Sequence, residues 1–158
     1  MTELGRIEDG KAQLQRGIAA MKGKMLMRGL PQHLAHLAQA YAKAGSTMEG
    51  LALLAEAFEN LEPWYESELH RLNGELLLSL PEACQPDAEV CFHRSLAAAR
   101  KQSAKLWELR AAVRLSRLWR GQHREAEVRN LLTPIYNSFM EGFDTRDLKE
   151  AQMLLDGN

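Results

Sequence analysis

Apolar residues recur at three- and four-residue steps along almost the whole chain, and a strict apolar–polar alternation is absent. In LAHLAQAYAKAG, beginning at Leu34, the residues Leu37, Ala38 and Tyr41 fall on one helical stripe, and GLALLAEAF from Gly50 repeats the habit. That period predicts amphipathic helices buried along one side. Breaks fall at Gly29-Leu30-Pro31, Gly45-Ser46-Thr47, Glu62-Pro63, Pro81 to Pro86, Gln102-Ser103, Gly121-Gln122-His123 and Gly142. They divide the chain into about eight helices, over residues 5–28, 31–44, 47–61, 64–80, 87–101, 104–120, 124–140 and 145–156. Pro134 falls inside the seventh, where its ring and missing N–H are expected to kink or interrupt it. Asp144, with Asp147 three residues on, is the expected N-cap of the eighth.

The helices repeat. GKAQLQRGI from Gly10, GLALLAEAF from Gly50, AEVCFHRSL from Ala88 and VRNLLTPIY from Val128 overlay without gaps, with starts 40, 38 and 40 residues apart. Each opens on a small or β-branched residue and carries a large apolar residue at its fifth and ninth places. The intervening helices also compare, Leu37-Ala38-x-x-Tyr41-x-x-x-Gly45 with Leu115-Ser116-x-x-Trp119-x-x-x-His123. A helix pair recurring at this interval predicts an all-α stack of hairpins, in which the many alanines are sites of close helix approach.

Composition agrees with that reading. Of 158 residues 46% are apolar and 26% charged, ordinary proportions for a globular chain, and Leu and Ala far outnumber Val and Ile. No stretch nears the roughly 20 apolar residues of a membrane span, and no signal-peptide pattern opens the chain. Cys84 and Cys91 are the only cysteines, too few for a disulfide scaffold, so a reduced cytoplasmic protein is expected.

The run Leu37-Ala38…Tyr41…Gly45…Gly50…Leu54…Ala57 resembles the tetratricopeptide repeat, with small residues at its eighth and twentieth places and an aromatic at its eleventh. The likeness is strongest over residues 34–63; Val128 takes the twentieth place of the third repeat, and His123 stands where Gly45 closes the earlier helix. The resemblance implies a right-handed superhelix of stacked hairpins. It is laid out as a half-repeat over 5–28, repeats over 31–61, 64–101 and 104–140, and a capping helix over 145–156. A longer likeness joins ELHRLNGELLLSLP, the stretch from Ala88 to Trp119, and LLTPIYNSFMEGFDTRDLKEAQMLL. These look like the C-terminal repeat region of large bacterial signalling proteins, behind a nucleotide cyclase or helix-turn-helix domain and a signal-transduction ATPase domain. That likeness implies a sensor or docking arm, and the chain's start on a second hairpin helix is expected of a piece of something longer.

Candidate chemistry is sparse. No phosphate-cradling G-x-x-x-x-G-K-[ST] loop is present. His33 and His36 lie one helical turn apart without a third ligand, and Cys84, Cys91 and His93 fall one short of a structural zinc set. Cys91, directly before Phe92, is expected to be a buried thiol, and Trp64, Trp107 and Trp119 to be packing residues. No metal, cofactor or catalytic residue is therefore expected, and the chain reads as a binding protein rather than an enzyme.

Charge is arranged in blocks. Residues 1–45 carry +4, 46–92 carry −9 with Arg71 the single cation, 93–130 carry +7, and 131–158 carry −3. Neighbouring helices could offset one another. Within the basic block Arg110, Arg114 and Arg117 recur at steps of four and three on one helix face, with Arg120 nearby. By the tetratricopeptide resemblance, Arg110, Arg117 and Arg120 occupy groove-facing places, with Gln32 and Gln39 contributed by the helix over 31–44. Such a groove implies a protein or acidic peptide as partner. An attached cyclase or ATPase domain of the same protein, or a second copy meeting through residues 5–28, are the other expectations. Nucleic acid is disfavoured, for no exposed aromatics interleave the basic residues.

Overall fold

A computed structural model describes residues 3–80 and 84–157, with side chains from Ile7 onward within them. The described residues form eight α-helices and no strand: α1 (Glu3–Gly23), α2 (Leu30–Lys43), α3 (Thr47–Glu59), α4 (Glu66–Leu78), α5 (Gln85–Lys101), α6 (Lys105–Gly121), α7 (Glu125–Tyr136) and α8 (Arg146–Leu155). A single 3₁₀ turn over Pro63–Tyr65 leads into α4. Pro81, where one break was expected to begin, lies outside the described residues; Pro86, at its other end, falls in the first turn of α5, where proline is tolerated.

Helix ends follow a common device. After α2, Gly45 takes φ 85°, the Ser46 N–H reaches the Tyr41 carbonyl at 2.9 Å, and the Gly45 N–H reaches Ala42 at 3.0 Å. This is the Schellman arrangement, which satisfies carbonyls the helix leaves unpaired. The same two bonds close α1 around Met25 (φ 54°), α5 around Ser103 (φ 54°) and α6 around His123 (φ 60°). His123 thus does take the place of Gly45, with a side chain where glycine costs least. His123→Gly is expected to raise the unfolding free energy by about 0.5–1 kcal/mol, the left-handed penalty less the entropy glycine adds to the unfolded chain. Urea denaturation measures this, and a loss of stability would mean the ring makes a contact that outweighs the strain.

Three boundaries correct the sequence reading. The Met25 cap ends α1 at Gly23 instead of residue 28. Helix α7 ends at Tyr136 instead of residue 140. Pro134 therefore occupies its last turn, where a missing N–H removes one terminal bond rather than breaking the middle. Asp144 does not cap α8: Thr145 holds the N-cap backbone position, and its hydroxyl donates to the Gly142 carbonyl at 2.6 Å.

Each helix packs on its neighbour in the chain, and α2, α4, α6 and α8 also pack on one another in series. Small residues permit the approach. A Cβ on Gly50 of α3 would lie 2.8 Å from the Ala38 carbonyl oxygen of α2, and one on Gly74 of α4 would lie 2.6 Å from the Phe92 ring of α5. Ala35, Ala38, Ala57, Ala88 and Ala99 are all fully buried. The fifth place of the repeated segments is a core position in Leu54, Phe92 and Leu132, each without exposure. Ser67 and Ser95, also buried, exchange hydroxyl-to-carbonyl bonds of 3.0 and 2.7 Å that tie α4 to α5. One core cluster belongs to α1–α4 and a second to α5–α8, with Phe92 of the second lying over Gly74.

Candidate interaction site

The face shared by α4, α6 and α8 holds a cleft of about 250 Å³ lined by Arg71, Arg110, Val113, Arg114, Arg146, Asp147 and Glu150. Its positions come from simple helical spacing. Arg110 and Arg114 are one turn apart on α6, Arg146, Asp147 and Glu150 span the first turn of α8, and Arg71 sits mid-way along α4.

The guanidinium groups are linked by carboxylates from both sides. Arg110 Nε and Nη2 donate to Asp147 Oδ2 at 3.0 and 2.9 Å. Arg114 bonds Glu75 of α4 through Nε and Glu150 of α8 through Nη1, the latter at 2.8 Å. Arg117 adds a second contact to Glu150, 2.9 Å from Nη2. Arg71 donates to Glu68 at 2.8 Å from Nε and also bonds Glu75. Glu150 is buried, so its charge is tolerable only with these partners. Burial works against the Arg71 cation, yet the Glu68 hydrogen bond and the charges of Glu68 and Glu75 outweigh it, and its pKa lies above the ordinary value. Burial, with Glu68 beside it, pushes the Tyr65 hydroxyl up to about 12.

Of the sequence-derived candidates, Arg110 lines this cleft and Arg117 borders it through Glu150. Arg120 does not line it; it lines a neighbouring pocket with Arg117, Glu150, Met153 and Leu154, and lies near Glu125 and Arg129. Gln32 and Gln39 are half-buried on α2 and take no part in the cleft. Arg71, Arg146, Asp147 and Glu150 were missed. Arg71 had left a signal, as the single cation in a block of −9. The α8 residues had none, because a pairing across 36 or 37 positions is set by helix packing, not by local spacing.

The charge blocks do meet. Besides the cleft, Lys22 of α1 pairs with Glu56 of α3, and Glu89 of α5 accepts from Trp119 Nε1 at 2.7 Å and Arg124 Nη1 at 3.0 Å. Burial opposes the Glu89 charge, but these donors hold its pKa below the usual carboxylate range. Trp119 is buried, as expected of a packing residue, and the Arg124 guanidinium lies over its ring at 4.7 Å. Trp64 is half-exposed and stacks on Trp107 with ring centroids 6.2 Å apart.

The other candidate ligands have ordinary partners. His33 Nδ1 lies 2.7 Å from the Gly29 carbonyl, the Cys84 thiol donates to Asp87 at 2.8 Å, and buried Cys91 accepts from Asn73 at 3.3 Å. Burial raises the Cys91 thiol pKa, which keeps it protonated and unreactive. No helix among the described residues is long and apolar enough to cross a membrane. No protein-family model matches the chain, and no curated protein matches it.

Proposed function

We propose that this chain is a protein-docking module, a tetratricopeptide-like right-handed stack of helical hairpins whose arginine cleft takes an acidic segment of a partner. The observation that carries the reading is the lining of the cleft, four guanidinium groups against two carboxylates. Serial packing of α2, α4, α6 and α8 supports the stacked architecture, since one helix of each hairpin then shares a common face. An incoming carboxylate would bond Arg146 and the solvent-facing edge of Arg110, whose side chain is 38% exposed.

Arg146 is the discriminating residue. It is exposed, makes no ion pair among the described residues, and stands at the first position of α8. There a cation opposes the helix dipole, so stability alone gives no reason for it. Arg146→Glu is expected to weaken binding of a fluorescein-labelled Glu-rich peptide at least about tenfold, the worth of one charge-assisted hydrogen bond. Thermal stability should hold or rise slightly. Unchanged peptide affinity would remove the cleft from the binding site.

The resemblance to bacterial signalling proteins extends the proposal: the module serves as a sensor or docking arm beside a cyclase or ATPase domain. An antibody against this chain would then detect a native protein several times larger than 17.8 kDa in the source cells. A band at the chain's own mass would contradict that extension and leave the docking reading intact.

A further inference from the structure

Four turns, each leading into an even-numbered helix, lie side by side at one end of the molecule. They are residues 24–29, 60–65, 102–104 and 137–145. Contacts between successive turns establish their adjacency. The Gly29 N–H donates to Glu62, the Gln102 side-chain amide donates to the Pro63 carbonyl, and Lys105 Nζ donates to the Ser138 carbonyl at 3.3 Å.

This end is where the apolar surface is concentrated. Of eleven exposed large apolar side chains among the described residues, eight lie within two residues of these turns. Met25 (85% exposed) and Leu26 stand on the first turn, Leu61 and Trp64 on the second, Leu106 beside the third, and Met140 (95% exposed) with Phe143 on the fourth. Of the three others, Met48 alone comes as close to a turn at the opposite end. Single exposed apolar residues are commonplace, but a file of them across four consecutive turns marks a surface that meets another.

Charge selects the occupant. Each turn is taken with the helix residue on either side. The first carries +2 through Lys24 and Arg28, the second −3 through Glu59, Glu62 and Glu66. The third carries +2 through Lys101 and Lys105, and the fourth −1 through Glu141 and Asp144 against Arg146. The signs alternate, and their total is zero, so neither a nucleic acid nor an anionic membrane is favoured. A two-fold axis at the middle of the row sets the first turn against the fourth and the second against the third of another copy. Every facing pair then has opposite sign, which is the self-complementarity an isologous dimer requires.

We infer that this rim is a two-fold dimer interface between copies of the chain, with Trp64 and its apolar neighbours at the centre and alternating charges setting the register. The sequence had placed a possible dimer contact over residues 5–28; this surface shares only residues 24–28 with that span and leaves α1 itself outside.

Sedimentation of the native chain from about 1 μM to about 1 mM should show a particle of twice the 17.8 kDa chain mass, weakening as salt is raised. The double variant E59K/E66K and the double variant K101E/K105E should each be monomeric, and their equimolar mixture should restore much of the dimer. None of these four positions lines the arginine cleft, so loss of dimer and loss of peptide binding are read separately. As a check free of substitutions, a carbodiimide should link Lys101 or Lys105 of isotope-labelled chain to Glu59 or Glu66 of unlabelled chain. A monomer at every concentration, a dimer untouched by both double variants, or cross-links confined to other surfaces would overturn the inference.

Discussion

Phe92→Ala is expected to lower the unfolding free energy by about 3–5 kcal/mol, the range for deleting a fully buried aromatic side chain. Phe92 has no exposure and packs where the second core cluster meets α4. The three atoms nearest a Cβ built on Gly74 all belong to its ring, at 2.6 to 2.9 Å. That contact makes a sharper forecast possible. In the native background Gly74→Ala overpacks the ring at a cost of about 1–3 kcal/mol, against a gain of about 1 kcal/mol in helix propensity. The result is neutral to destabilising. With Phe92→Ala already present the clash is gone and the propensity gain remains, so Gly74→Ala should then stabilise by about 1 kcal/mol. Urea unfolding of the four proteins gives the cycle. Equal effects of Gly74→Ala in both backgrounds would show that the ring and the glycine do not meet.

Arg114→Met is expected to cost about 2–3 kcal/mol, the worth of a charge-assisted pair at a partly buried position. The side chain joins Glu75 of α4 to Glu150 of α8, and methionine fills much of the volume of the arginine stem without its charge. Glu75 retains Arg71, so the loss falls mainly on Glu150, whose side chain is 9% exposed and which keeps Arg117. Arg117 is 54% exposed, and its pairing is weakened by solvent and salt. The effect should therefore grow between low and high salt, and Glu150→Gln should recover part of it. A loss under about 0.5 kcal/mol, typical of exposed ion pairs, would make the network a surface feature rather than a stitch across three helices.

How much of this was legible depends on the range over which each feature is decided. The helices were, because the apolar stripe through Leu37, Ala38 and Tyr41 and the breaks at Gly45 and Pro63 act over a few residues. The core places Leu54, Phe92 and Leu132 followed from the repeat. Helix ends were legible where the turn carries glycine, as at Gly45, or a polar pair, as at Gln102-Ser103. At Met25 a methionine adopts the left-handed conformation, and nothing in its chemistry announces that. Asp144 was a sound cap on composition, yet the Gly142 turn places Thr145 at the cap position instead. In the cleft, the helix face of Arg110 and Arg117 was readable from their spacing. Their carboxylates were not, since Asp147 and Glu150 reach them only after α8 packs on α6.

The docking reading is tested most directly by fluorescence anisotropy with two labelled decapeptides of equal length, one rich in Glu and the other with every Glu replaced by Gln. The account predicts saturable binding of the Glu peptide to the native chain, weakening with added salt, and no measurable binding of the Gln peptide at the same concentrations. Equal affinity for both peptides, or saturation by neither, would contradict an arginine cleft that recognises acidic segments.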